Sequence, residues 1–139
     1  MVDPDIIARR VLALNEALGH LAQADADDAS RLAADPMRRA ATERWLQVAI
    51  EACIDVAYHV VAANEWTPPE TARGAFSTLA AHGLIETDLA NRLAAAAGLR
   101  NVLVHDYVSV DLERLARVVR EDLDDLRRFG AAAASLLGD

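Results

Sequence analysis

Lysine is absent from all 139 residues, and every one of the 14 basic side chains is arginine. That absence excludes lysine-based nucleophiles and the lysine of a phosphate-binding P-loop. A single cysteine, Cys53, rules out an internal disulfide. It lies in an apolar helical pattern, where a thiol behaves as a small hydrophobe, so redox chemistry is not expected. Aromatic residues are scarce at 4%, with 6 Gly and 4 Pro, while Ala and Leu dominate a hydrophobic share of 53%. Half-buried strands favour β-branched and aromatic residues, whereas Ala and Leu, which dominate here, lose little on entering a helix, so the chain reads as all-α. No uninterrupted apolar run reaches the roughly 20 residues a bilayer requires, and the opening MVDPDIIARR is acidic where a signal peptide is basic. The expectation is a cytoplasmic protein without membrane contact. Acidic residues number 22, giving a net charge of −8. A general electrostatic grip on nucleic acid is therefore unavailable, no DNA partner is expected, and any RNA contact must be local.

Asp3-Pro4 and Asp35-Pro36 both pair an N-cap residue with a proline suited to the first helical turn. The first opens a helix to about Gln23, with Ile7, Val11, Leu14, Leu18 and Leu21 at helical spacing. The first part of the acidic stretch that follows, ADADDASRLAAD, reads as a solvated connection. The second cap opens the longest pattern, about 37–63, with Leu46, Ile50, Cys53, Ala57 and Val60 on one stripe. Thr67-Pro68-Pro69-Glu70 has capping-box spacing and predicts a short third helix that ends at Gly83, with Leu84 closing over it. Glu86 or Thr87 opens a fourth helix, which leads into GLRNVLVHDY. Residues 108–110 read as an extended link, and Asp111 caps a fifth helix through Phe129. Five such helices bury their stripes most simply as an up-and-down four-helix bundle with one short accessory helix, the whole of 1–139 forming one domain.

The end of the fourth helix carries the most unusual cluster: Arg100, Asn101, His105 and Tyr107 within eight residues. On an ideal helix Arg100 and His105 stand about 140° apart around the axis and about 7.5 Å along it. A site using both needs the helix to loosen near Val104, or a second copy of the motif supplied across a two-fold axis. Arg is a permanent planar cation matched to phosphate oxygens, and His exchanges protons near neutral pH. Together they suit cleavage of a phosphodiester in RNA. The same residues also admit a structural reading, with Arg100 paired to an acidic neighbour and His105 placed favourably at a helix C-terminus.

The string Arg-x-x-x-x-His-x-Tyr, here Arg100, His105 and Tyr107, resembles the signature of the HepT-like toxins of the HEPN superfamily of helical ribonucleases. GAFSTLAAHGLI before it, AIEACIDVAYH in the second long helix and Arg100-Asn101 extend the likeness over most of 43–120. The resemblance implies a metal-independent endoribonuclease toxin of a type VII toxin–antitoxin system, using no cofactor and acting as a homodimer in which both motifs line one cleft. It implies that Arg100 and His105 are catalytic and leave a 2′,3′-cyclic phosphate, with tRNA the favoured substrate. It further implies that a minimal nucleotidyltransferase antitoxin blocks the cleft by transferring AMP to Tyr107. The competing function class is a non-catalytic HEPN module that only partners a nucleotidyltransferase.

Gln47, Glu51, Asp55 and His59 recur every fourth residue and form one narrow polar seam on the second long helix. Glu51 or Asp55 could hold the fork of Arg100, and His59 could pair with Asp55; the alternative is a polar register device with no chemical part. A metal site is not expected, because the Glu-x-x-His pairs of di-iron bundles are missing. His20 and His82 read as caps or surface residues. Trp45 and Trp66 read as packing anchors, with Trp66 also able to stack on RNA. Arg114, Arg117 and Arg120 form a strip among acidic neighbours.

Overall fold

The computed structural model describes residues 2–105 and 111–137, the side chain of His105 excepted. Tyr107 and the expected link at 108–110 lie outside the described residues. Seven helices are found among those described: α1 (Pro4–Gln23), α2 (Ala29–Ala34), α3 (Pro36–Ala63), α4 (Ala72–Ala81), α5 (Thr87–His105), α6 (Leu112–Glu121) and α7 (Leu123–Ser135).

The caps do what their residue types favour. Asp3 accepts the Asp5 N–H at 2.9 Å, Asp35 accepts that of Arg38 at 3.1 Å, and Asp111 accepts that of Glu113 at 2.9 Å. Each satisfies a backbone donor that the helix leaves open. Gly83 takes φ +76°, and the Leu84 N–H reaches back to the Leu79 carbonyl at 3.0 Å, ending α4 as expected.

Two expectations about the elements are corrected, and one helix is added. The N-cap of α4 is Thr71, whose hydroxyl accepts the Gly74 N–H at 3.1 Å, so Thr67–Glu70 precedes the helix rather than opening it. The first part of the acidic stretch, 24–28, is a non-helical connection as expected, and α2 follows it unpredicted, six residues sufficing because Asp28 caps the turn and Leu32 is fully buried. The expected fifth helix is two helices meeting at Asp122. Here α6 packs against α2, with Arg120 donating to the Asp27 carbonyl at 3.0 Å, while α7 packs against α1, α3 and α5. One straight helix could not serve both sets of partners.

The four long helices α1, α3, α5 and α7 pack in a ring, each against the next, with α3 also touching α7 across the middle. The short α4 lies against α3 and α5. Phe76 of α4 meets Phe129 of α7 edge to face at 5.6 Å in the core they share. A Cβ on Gly130 would stand 2.9 Å from Leu14 Cδ2, so the missing side chain lets α7 approach α1 closely. By length and average composition alone α3 is apolar enough to cross a membrane, although Glu51 and Asp55 interrupt its apolar run. Within the fold 56% of that apolar window is buried, because α1, α2, α4, α5 and α7 all pack on this helix. Cys53 is buried among these contacts, and desolvation pushes its thiol far above the usual range, which keeps it protonated.

Candidate active site

The polar seam of α3 is where three elements meet. Glu51 lies 3.7 Å from Arg100 Nη1 on α5 and accepts from Gln47 Nε2 at 3.4 Å. The Arg100 side chain is partly buried, and its Nε is buried with no hydrogen-bond partner among the described residues. A guanidinium paired at one edge with a carboxylate and still partly exposed is suited to receive a second anionic group.

Of the two carboxylates considered for Arg100, Glu51 is the one that meets it. Asp55 instead lies 3.5 Å from Arg10 Nε of α1. The reason is the antiparallel path of α1 along α3, which also sets His20 against Trp45 as a ring stack at 4.2 Å. His59 does not pair with Asp55: its Nε2 accepts the Asp3 N–H at 3.0 Å and so fastens the start of α1. Arg10 was not anticipated. Its only sequence signal is the Arg9-Arg10 pair one turn after Ile6, ordinary for an exposed helix face. Cys53 and the bulk of the α3 stripe lie in the core as expected.

Asn101 follows Arg100 on α5 and is exposed. The helix continues through Val104 to His105, so no loosening occurs at Val104. Arg100 and the His105 backbone position therefore keep the roughly 140° separation of a regular helix. The His105 side chain and Tyr107 lie outside the described residues. Elsewhere, Trp66 stacks on His82 with ring centres 3.6 Å apart, so the face of Trp66 turned to His82 is occupied. Arg114 and Arg117 line a cleft between α5 and α6 beside Leu99, and Arg120 is drawn away to the α1–α2 connection. Among the described residues no group of three or more His, Cys, Asp or Glu is arranged to hold a metal ion.

The sequence pattern of the ribonuclease HepT-like family matches residues 14–132. The chain belongs to that family. A HepT-like protein of Shewanella oneidensis, an mRNA nuclease, is 38% identical over 84 residues, covering 60% of this chain. That match spans 63% of the Shewanella protein's own length. The tRNA nuclease HepT of Aphanizomenon flos-aquae is 29% identical over 110 residues, covering 79% of this chain and 75% of that one. In solved structures, the tri-AMPylated Shewanella oneidensis HEPN toxin in complex with its MNT antitoxin superposes with a TM-score of 0.86 at 30% identity. That superposition covers 94% of this chain and 98% of the toxin. The all-helical HepT-like architecture expected from the sequence is thus the architecture found.

Proposed function

We propose that this HepT-like chain is the toxin of a toxin–antitoxin pair, an endoribonuclease that cleaves RNA without a metal ion. The observation that carries the reading is the partly exposed Arg100 guanidinium near the C-terminal end of α5, paired through Nη1 with Glu51. In this reading Arg100 binds the non-bridging oxygens of the scissile phosphate as charge builds on them, and Glu51 fixes its fork. His105 takes the proton of the ribose 2′-hydroxyl as that oxygen attacks phosphorus. The bond from phosphorus to the 5′ oxygen breaks, leaving a 2′,3′-cyclic phosphate and, once the departing oxygen is protonated, a 5′-hydroxyl. Asn101, exposed beside Arg100, contacts the RNA backbone, and Asp55 supports the same seam from the next turn.

Tyr107 is the proposed site of AMP transfer by a minimal nucleotidyltransferase antitoxin. A bulky anion two residues from His105 would repel RNA and cover Arg100. The AMPylated toxin bound to its antitoxin among the solved relatives supports this part of the reading. Residues 1–139 act as one helical domain in the cytoplasm, and tRNA is the proposed substrate. A homodimer bringing two motifs to one cleft answers the separation of Arg100 and His105 on the regular α5.

The test is cleavage of a total tRNA pool in EDTA by protein expressed without a partner, its intact mass checked for AMP, with His105→Ala in parallel. Cyclic-phosphate ends from wild type and none from the variant are expected. Unmodified dimeric protein that cleaves no RNA would overturn the reading in favour of a non-catalytic module that partners the nucleotidyltransferase, since that module keeps its partner in both proteins.

A further inference from the structure

The reading above leaves Arg9 and Arg10 without a role. With a net charge of −8, any grip on RNA has to come from a few cations placed together rather than from the surface at large. On the seam of α3 two arginines are placed together. Glu51 holds Arg100 of α5, and one turn on, about 6 Å along the helix axis, Asp55 holds Arg10 of α1. Arg9 has no carboxylate partner among the described residues, and its Nε donates to the Asp5 carbonyl at 3.3 Å. Ile6, Arg9 and Arg10 share one face of α1 and line a cleft of about 190 Å³.

We propose that Arg10, with Arg9 beside it, is a second phosphate-binding position for RNA, receiving the backbone of the strand whose scissile phosphate lies at Arg100. The inference rests on the ribonuclease reading and extends it to where the rest of the substrate runs. The Arg10–Asp55 pair is about half exposed on both sides, so water screens it and the guanidinium can exchange its carboxylate for a phosphate at little loss. The two oxygens of a phosphate present the same fork as the carboxylate they displace. Asp55 holds the guanidinium extended toward the seam when no RNA is bound. Arg10 touches no reacting atom, and its effect falls on binding.

The test uses the full chain with His105→Ala, which keeps the RNA intact, and a labelled tRNA titrated at several salt concentrations. The double variant Arg9→Gln, Arg10→Gln is expected to bind about tenfold more weakly, with the slope of log affinity against log salt reduced by about 0.7 for each lost contact. Arg10→Lys, which keeps the charge and loses the fork, falls between, and Asp55→Asn binds more tightly than the parent. In protein with His105 restored, the Gln variants raise KM more than they lower kcat. Parental affinity and salt slope in the Gln variants overturn the proposal while leaving the ribonuclease reading intact. Loss of nucleotidyltransferase binding with RNA binding unchanged overturns it too, assigning the two arginines to a protein interface. A parent that binds no RNA removes the ribonuclease reading itself and the proposal with it. Circular dichroism on each variant separates these outcomes from unfolding.

Discussion

Arg100 of α5 and Glu51 of α3 face each other at 3.7 Å, and the carboxylate is in turn held by Gln47 of its own helix. The orientation of the guanidinium is thus set by a different element from the one that carries the proposed base, His105. Glu51→Gln keeps the shape and removes the charge that holds the fork. Cleavage is expected to fall by about 10- to 100-fold, because small misplacement of a phosphate-binding group is costly. Arg100→Lys should fall about 100-fold or more, since an ammonium cannot reproduce the two parallel donors. Initial rates on one purified tRNA check both, and a Glu51→Gln enzyme as fast as wild type would reduce that contact to a packing device.

Phe76 and Phe129 are both buried and meet at 85°, tying α4 to α7. Phe129→Ala should destabilise the fold by about 3–5 kcal/mol through lost burial and the cavity left behind. In a double-mutant cycle with Phe76→Ala the coupling should be about 1 kcal/mol, the edge-to-face contact itself. Urea unfolding monitored by helicity measures each value.

The capped starts of α1 and α3 and the glycine stop of α4 were readable in the sequence because each rests on a local pattern of two or three residues. Leu32 and Asp122 were not readable in that way. α2 has too few residues to show a period, and the apolar period runs through Asp122 without interruption although the helix does not. What breaks it is non-local: α6 is drawn to α2 and α7 to α1, α3 and α5. The site divides along the same line. The four-residue repeat on α3 offered Glu51 or Asp55 to Arg100, and Glu51 is the one found there. Arg10 beside Asp55 and the Asp3 N–H on His59 depend on how far α1 slides along α3, which no local pattern records.

Asp122 caps the end of α6, and its side chain makes no capping bond to α7. Desolvation, then the charges of Asp125 and Glu121, hold its carboxyl above the usual range, outweighing Arg92 and Arg117. A carboxyl raised in the folded state binds more protons there than in the unfolded chain. Its ionisation therefore costs stability as pH rises from the ordinary carboxylate value through the raised one. Asp122→Asn removes that cost, and the gain should stay below about 1 kcal/mol because solvent screens the group. The advantage should be present at neutral pH and vanish below the ordinary carboxylate range. Asp28 works in the opposite sense. Its bonds to Ser30 lower its carboxyl, so the α2 cap stabilises above the ordinary range and weakens as pH falls. Melting curves of wild type and Asp122→Asn between acid and neutral pH should therefore converge at the acid end, and parallel curves would contradict the assignment.

Because α5 remains helical through His105, the backbone positions of Arg100 and His105 lie about 140° apart around the helix axis. If the proposed catalytic pair forms across a two-fold axis, each cleft takes its arginine from one protomer and its histidine from the other. Arg100→Ala and His105→Ala are then each inactive alone, but a heterodimer of the two has one site with both groups intact. Random mixing makes half the dimers heterodimers, each with one working site of two, so activity should return to roughly a quarter of wild type. A pair working within one chain gives no recovery, because each protomer then lacks one of its own groups. Mixing the two variants after mild denaturation and refolding, with exchange verified by native mass spectrometry, decides between these arrangements. Verified heterodimers without activity would place both groups in one protomer.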